Sequence, residues 1–173
     1  MRKINLKKYI RSIPDFPKAG ILFRDITTLL KDKKAFNAVL TMLAAKFKGK
    51  KIDYVVAVEA RGFILGGALA NKLGAGFIPV RKKGKLPWKT NCATYSLEYG
   101  TDTLEMHHDA IAPGSRVLIV DDLLATGGTV SAVIDLVKQL QGKIVGIAFL
   151  IELTDLKGKD KLKGYPIYSL IKY

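Results

Sequence analysis

Two adjacent carboxylates at the end of an apolar run are the residues best suited to chemistry in this sequence. Asp121 and Asp122 directly follow the all-apolar residues 117–120. Such a run predicts a buried strand, and the carboxyl edge of a parallel sheet is where ligands of these sheets bind. There the pair could hold sugar hydroxyls or a hydrated metal ion. The alternative for an acid pair alone is a solvated strand end followed by a helix cap.

A glycine-containing turn follows the acid pair and has the composition of a phosphate cradle. Gly127 and Gly128 permit backbone conformations that other residues avoid, so N–H groups can converge on a phosphate at the start of the next helix. The hydroxyls of Thr126 and Thr129 can donate to the same oxygens and cap the helix. Neither a P-loop nor a dinucleotide-binding fingerprint occurs in the sequence. Residues 117–129 together therefore predict a monophosphate site with acids beside it.

Alternating strands and helices are expected to position these groups. Strands interleaved with helices predict a parallel α/β sheet that is covered on both faces. The predicted elements are a short amphipathic helix near residues 4–13, a short buried strand at 20–23, a helix at 34–47, a strand at 52–58, a helix at Arg61–Leu73, a strand at 76–80, a strand at 116–121, a helix at 129–140 and a strand at 144–151. Residues 93–107 read as a hairpin that forms a flap outside the main sheet.

Length and composition limit the class of protein. The 173 residues fit one domain, and 49% hydrophobic with 25% charged residues is a globular balance. A net charge of +14 favours anionic partners such as phosphates, nucleotides, nucleic acid or anionic membrane. No apolar run approaches the length of a transmembrane helix, and the basic N-terminus lacks the apolar stretch of a secretory signal. With Cys92 as the single cysteine, we expect a protein of the reducing cytoplasm.

The 117–129 unit resembles the signature of the type I phosphoribosyltransferases. Other segments, in the same order, are similar to the adenine-specific branch of that family, and together they cover nearly the whole chain: residues 13–17, 20–26, 59–63, 81–87, 95–100 and 152–154. The resemblance implies one domain over residues 1–173, with a central parallel sheet flanked by helices. It also implies an N-terminal hood at residues 1–33 and a β-hairpin flap at residues 81–107 over the active site.

The resemblance implies a glycosyltransferase reaction of purine salvage. The 5-phosphoribosyl group of phosphoribosyl pyrophosphate would pass to adenine, giving AMP and pyrophosphate. Asp121 and Asp122 would hold the ribose hydroxyls, and Glu98 and Arg61 would be catalytic, with Glu98 as general acid/base above the base. The 5′-phosphate would lie against Ala125, Thr126, Gly127, Gly128 and Thr129.

The remaining implied residues bind pyrophosphate and the purine. Pyrophosphate would contact Ala60, Arg61, Arg81, Lys82 and Lys83, and the loop at Arg61 could hold a non-proline cis peptide. Adenine would contact Leu22, Phe23, Arg24 and Leu153. Trp88 departs from the family pattern, in which glycine is usual, and this bears on the flexibility and local geometry of the flap.

The resemblance also bears on cofactor and partners. Mg²⁺ would bind through the substrate phosphates, so we expect no preformed metal site. The expected assembly is a homodimer in which residues 81–83 could reach the neighbouring active site, without membrane association. Two alternatives stay open: a phosphoribosyltransferase for 6-oxopurines, and an RNA-binding regulator on the same fold, which the charge of +14 supports. Glu98 and the flap favour the enzyme, so nucleic acid is not the expected partner.

Overall fold

A seven-stranded mixed sheet carries the fold. The computed structural model describes residues 4–96 and 100–173. The strands are β1 Arg11–Ile13, β2 Phe23–Asp25, β3 Tyr54–Val58, β4 Gly76–Lys82, β5 Thr90–Ser96, β6 Thr101–His107, β7 Arg116–Leu124, β8 Lys143–Glu152 and β9 Ile167–Lys172. The α-helices are α1 Thr27–Leu30, α2 Lys33–Phe47, α3 Arg61–Leu73 and α4 Gly128–Gln139, and 3-10 turns form at Leu6–Tyr9, Thr154–Leu156 and Gly158–Leu162.

The strand order is β5-β6-β4-β3-β7-β8-β9, and its five strands from β4 to β9 are parallel. Strand β6 pairs antiparallel with both β4 and β5. The predicted parallel sheet flanked by helices is therefore confirmed. The expectation that the hairpin lies outside the sheet is wrong, because β6 continues the ladder from β4 through the Arg81–Glu105 and Lys82–Leu104 pairs.

Apolar side chains on both faces of the central strands explain their composition. Along β7, Val117 and Ile119 face a layer that includes α4, while Leu118 and Val120 face α2 and α3. Successive side chains of a strand point to opposite faces, so a strand covered on both sides needs an unbroken apolar run. All four side chains are fully buried. Burial on both faces fixes the register of β7 and thus the positions of the acids that follow.

Strand β7 is longer than predicted. It continues to Leu124 because β8 pairs with it as far as the Leu124–Glu152 pair. Asp121 and Asp122 consequently lie within the strand and not just after it. The predicted helix Arg61–Leu73 is confirmed to the residue, and the predicted bounds of α2, α4 and β8 agree to within one residue of those observed.

The N-terminal region differs most from its prediction. The expected amphipathic helix is wrong: a 3-10 turn at Leu6–Tyr9 precedes β1, which pairs antiparallel with β2. The strand expected at 20–23 begins only at Phe23, and Leu22 is 47% exposed. Strand β9, which the sequence did not predict, completes the far edge of the sheet. No helix within residues 4–96 and 100–173 has the length and apolar character needed to cross a membrane.

Candidate active site

A cavity of about 440 Å³ opens at the carboxyl edge of β3 and β7. It brings together the acid pair, the glycine turn, Ala60, Arg61 and Lys82, which the sequence analysis assigned to one site. The lining residues are Val58, Glu59, Ala60, Arg61, Lys82, Tyr95, Leu104 and the continuous stretch 121–130. Glu98 lies outside the described residues.

The acid pair is held in a poorly solvated environment. Asp122 is buried, Asp121 is half-buried, and the Asp122 N–H donates to Oδ1 of Asp121 at 2.9 Å. Burial raises the pKa of Asp121 well above its usual range, and the neighbouring Asp122 charge raises it further. Burial also raises the pKa of Asp122, although the charge of Arg61 opposes that shift. Donors that reach these oxygens would relieve the cost of their charge.

Arg61 supplies the positive charge nearest to the acids. It is the first residue of α3, and its Nε lies 2.9 Å from Oδ2 of Asp122. Its guanidinium carbon lies 5.0 Å from the ring centre of Phe23, a contact that connects the cavity to β2. Nη1 of Arg61 is buried and has no hydrogen-bond partner among the described residues. Arg61 therefore keeps an N–H donor that no group among the described residues satisfies. The Glu59–Ala60 peptide just before α3 is cis, as the resemblance allowed.

Gly62 permits the close approach of α3 to β7, a role that the sequence analysis did not assign. A Cβ atom at Gly62 would lie 2.8 Å from Oδ1 of Asp121, closer than real Cβ contacts come. A side chain at this position would force the Asp121 carboxylate or the helix to shift. Its position just after Arg61 is the sequence signal that could have indicated this packing.

The glycine turn presents backbone to the cavity. Gly127 has φ +81°, a left-handed conformation that favours glycine, and it caps α4 without a side-chain hydrogen bond. The expectation that threonine hydroxyls cap this helix is therefore wrong, because the capping position is occupied by Gly127 itself. The first N–H groups of α4 are left for another acceptor, as in phosphate sites at helix N-termini.

Half-buried Glu59 and buried Glu105 organise the basic segment at the end of β4. Glu59 accepts the Lys82 N–H at 2.7 Å and lies within 3.1 Å of Nη2 of Arg81 and 3.3 Å of Nζ of Lys85. Burial opposes ionisation, but these donors together hold the pKa of Glu59 below its usual value. Glu105 accepts the N–H groups of Lys85 and Leu86 at 2.9 and 2.8 Å. Both acids were missed from the sequence, because each contacts residues about 20 or more positions away.

The three basic residues predicted to bind pyrophosphate lie in different environments. Nζ of Lys82 lies 2.9 Å from Oδ2 of Asp102, and this contact raises the pKa of Lys82. Arg81 forms an ion pair with Glu59, and Lys83 is exposed. Of the three, only Lys82 lines the cavity, so the structure does not bring Arg81 and Lys83 to the acid pair.

None of the predicted purine-binding residues, Leu22, Phe23, Arg24 and Leu153, lines the cavity. Phe23 makes an edge contact with Phe16, with ring centres 5.2 Å apart. The guanidinium of Arg24 stacks 3.7 Å from the ring centre of Tyr173. Leu153 follows β8, and its N–H donates to the Leu124 carbonyl at 2.9 Å. Leu153 is thus linked to the end of β7, while β2 reaches the cavity through Phe23.

The hood strand β2 is fixed by a buried carboxylate. Asp25 accepts the Thr27 N–H at 2.9 Å, the Thr27 hydroxyl at 2.9 Å and Nη2 of Arg11 at 2.6 Å. These contacts, the Thr27 N–H first among them, lower the pKa of Asp25 to about 2. Asp25 therefore joins β1, β2 and α1.

The described residues contain no group of three or more His, Cys, Asp or Glu side chains placed to hold a metal ion. The adjacent carboxylates of Asp121 and Asp122 still fit a cation that takes most of its ligands from substrate and water. Mg²⁺ commonly binds in this way, through one or two carboxylates and phosphate oxygens.

Comparisons with known proteins show the family to which this chain belongs. The phosphoribosyl transferase domain family matches residues 25–171. An adenine phosphoribosyltransferase of Brachyspira hyodysenteriae is 59% identical over 170 residues, which cover 98% of this chain and 100% of that one. The structure superposes on a crystal structure of adenine phosphoribosyltransferase from Thermoanaerobacter pseudethanolicus with a TM-score of 0.95 at 58% identity, covering 97% of this chain and 98% of that chain.

A third similar protein was solved with ligands. The adenine phosphoribosyltransferase of Saccharomyces cerevisiae, complexed with an imino-altritol bisphosphate and adenine, has a TM-score of 0.90 at 43% identity, with 95% of each chain covered. The protein described here belongs to the phosphoribosyl transferase family. The family and fold predicted from the sequence are thereby confirmed, and the predicted adenine activity is the one that these relatives are named for.

Proposed function

We propose that the protein transfers the 5-phosphoribosyl group of phosphoribosyl pyrophosphate to adenine, forming AMP and releasing pyrophosphate. One observation carries the proposal for the site: a single cavity holds an acid pair, a glycine turn with uncapped helix N–H groups, and an arginine with an unused buried donor. A sugar bearing a 5′-phosphate and a diphosphate offers one matching group to each of these. High identity to adenine phosphoribosyltransferases over nearly the full chain supports the choice of base.

The acid pair and the glycine turn bind the ribose 5-phosphate half of the donor. The sugar diol donates hydrogen bonds to Asp121 and Asp122, whose buried carboxylates need donors. The 5′-phosphate accepts N–H groups from the Gly127 turn and the start of α4, together with hydroxyls of Thr126 and Thr129. The donor is then fixed at both ends of its sugar, so the anomeric carbon has one position.

The leaving group departs towards Arg61. When the bond between the anomeric carbon and pyrophosphate breaks, the electron pair stays on the pyrophosphate oxygen and positive character develops on the sugar. Nη1 of Arg61, the Ala60 backbone and Lys82 stabilise the departing anion. Arg81 and Lys83, which do not line this cavity, are proposed to supply charge to pyrophosphate in the neighbouring subunit of the homodimer. The ring nitrogen of adenine then bonds to the anomeric carbon and loses its proton. Glu98 is proposed to handle that proton as general acid/base.

Mg²⁺ is proposed as the cofactor. It would be held by oxygens of the substrate, with Asp121 or Asp122 nearby, and it would neutralise negative charge on the pyrophosphate. The acids of this chain have a separate task, which is to orient the sugar hydroxyls.

The N-terminal hood, residues 1–33, is proposed to hold adenine. Leu22, Phe23 and Arg24 contact one side of the base and Leu153 the other, and residues 81–107 close over the site as the flap. Leu22 is exposed and free to contact a ligand, while Phe23 already touches Arg61. A site whose donors and acceptors match adenine leaves buried polar groups unpaired against a 6-oxopurine, which gives strong discrimination.

A homodimer in the cytoplasm is the proposed assembly. Ile64 and Phe77 are exposed large apolar side chains on α3 and β4, and Phe63 packs edge-on against Phe77. This apolar face lies on the helix that begins with Arg61, so a partner there would stand close to the active site. An Ile64→Glu variant should elute as a monomer in size-exclusion chromatography with light scattering if the face is the interface.

A pyrophosphate-release assay tests the activity. With phosphoribosyl pyrophosphate and Mg²⁺, adenine should support turnover at least 100-fold faster than hypoxanthine or guanine, and Asp122→Asn should abolish most of it. Preference for a 6-oxopurine would instead assign the chain to a different base. RNA binding that weakens with salt, without AMP formation, would assign it to regulation.

A further inference from the structure

The 3-10 turn Gly158–Leu162 packs directly on the backbone of the phosphate-binding turn. A Cβ atom at Gly158 would clash with the carbonyl oxygen of Ala125 and would lie 3.0 Å from Cδ1 of Leu124. In the other direction, a Cβ atom at Gly127 would lie 2.5 Å from the Gly158 carbonyl oxygen. The two backbone segments therefore meet with no side chain between them.

The 3-10 turn is joined to the rest of the fold at two of its residues. Leu162 is fully buried in the same apolar cluster as Leu124 and Val130. Lys159 at the start of the turn reaches Glu152 with a distance of 2.8 Å between Nζ and Oε2. Both ends of the turn are thus joined to the sheet that carries the acid pair.

Part of the glycine turn is accessible, although Gly127 itself is buried. Thr126 is exposed, and Ala125 and Gly128 are half-buried. Gly127 needs its left-handed φ of +81° to place the first N–H groups of α4. A methyl group at Gly158 would clash with the Ala125 carbonyl, so it would change the position of the glycine turn relative to the 3-10 turn that packs on it.

We infer that Gly158 is a positioning residue for the 5′-phosphate. It acts through Ala125 and Gly127 and does not itself line the cavity. Convergent N–H groups lose their effect on a phosphate when they shift by a fraction of an ångström, because hydrogen bonds depend steeply on distance and angle. The inference rests on the proposed role of residues 125–129 as the phosphate-binding turn.

The test compares two inhibitors of AMP formation that occupy different halves of the site. Ribose 5-phosphate needs the glycine turn, while pyrophosphate needs Arg61. In Gly158→Ala, the inhibition constant of ribose 5-phosphate and the KM for phosphoribosyl pyrophosphate should rise at least tenfold. The inhibition constant of pyrophosphate should change less than twofold. Gly67→Ala is the matched control, since a Cβ atom there meets nothing within 4 Å, and it should leave all constants unchanged.

A second variant covers the case in which Gly158→Ala does not fold. Leu162→Val loosens the anchor of the 3-10 turn without adding a clash. It should weaken ribose 5-phosphate about threefold and pyrophosphate less than twofold. Equal weakening of both inhibitors, in either variant, would reduce Gly158 to a residue of general stability and overturn the inference.

Thr129→Val separates this inference from the proposal on which it rests. If Thr129→Val weakens ribose 5-phosphate and Gly158→Ala does not, the phosphate turn is assigned correctly and the role of Gly158 is wrong. If Thr129→Val also has no effect, the assignment of the phosphate turn fails, and the inference about Gly158 fails with it.

Discussion

Replacing Asp25 with asparagine should destabilise the protein at neutral pH while keeping the shape of the side chain. The fall in the pKa of Asp25 from its ordinary 3.8 to about 2 corresponds to about 2.5 kcal/mol of unfolding free energy. Arg11, one of the partners, has 58% of its side chain exposed, so solvent screens part of this contribution. We therefore expect Asp25→Asn to lower the unfolding free energy by about 1.5 to 2 kcal/mol at pH 7.

The pH dependence follows from the direction of the shift. Because the folded state binds the proton of Asp25 more weakly than the unfolded state, the stabilisation is complete above about pH 5 and decreases progressively below it. It is lost as the pH falls through about 2, the pKa of Asp25 in the folded protein. At pH 3 the difference in unfolding free energy between the wild type and Asp25→Asn should be about half of its value at pH 7.

Urea unfolding followed by circular dichroism at pH 7 and pH 3 measures both quantities. Asp135→Asn, on the exposed side of α4, is the control and should change the unfolding free energy by less than about 0.5 kcal/mol. If Asp25→Asn lowers the unfolding free energy by the same amount at both pH values, the reasoning is refuted, because the loss would then come from packing and not from charge. A deficit as small as that of the control would show that the contacts with Thr27 and Arg11 contribute little.

Three further predictions concern the cavity. Asp121→Asn should lower turnover at least 100-fold, which the AMP assay measures. It should also raise the unfolding free energy at pH 7, because burial and the charge of Asp122 raise the pKa of Asp121. This gain in unfolding free energy should vanish near pH 4, which urea unfolding at both pH values measures. Gly62→Ala, whose Cβ would lie 2.8 Å from Oδ1 of Asp121, should cost about 1 to 3 kcal/mol in urea unfolding and reduce kcat. Trp88, the single tryptophan and 62% exposed, should shift its emission to shorter wavelength when phosphoribosyl pyrophosphate saturates the enzyme, and an unchanged spectrum would contradict closure of the flap over that residue.

The parts of the fold that local signals specify were predictable from the sequence. Helix α3 ends where Gly74 takes a left-handed φ of +68°, and glycine just after an apolar-periodic stretch is a local stop signal. The apolar run of β7 likewise reports burial on both faces.

Elements that depend on distant partners were not predictable in the same way. Residues 4–13 carry apolar residues at spacings that suit a helix, but β1 forms because β2 offers a strand to pair with. Strand β9 forms by pairing with β8 at the edge of the sheet, and the order of strands in the sheet cannot be read from a local sequence pattern. The contacts of Glu59, Glu105 and Gly158 join segments 20 or more residues apart, so no local pattern indicates them.

The described cavity is built from groups that are each costly without a ligand. Two adjacent carboxylates are ionised only against burial, one arginine N–H is buried without an acceptor, and a helix begins without a side-chain cap. In the proposed complex, a sugar diol would supply donors to the acids, a diphosphate would supply an acceptor to Arg61, and a 5′-phosphate would supply the missing cap. Each cost therefore disappears at the moment the donor binds, and ligand binding and folding stability are coupled through the same atoms. This coupling is why Asp121→Asn is expected to gain stability and lose activity together.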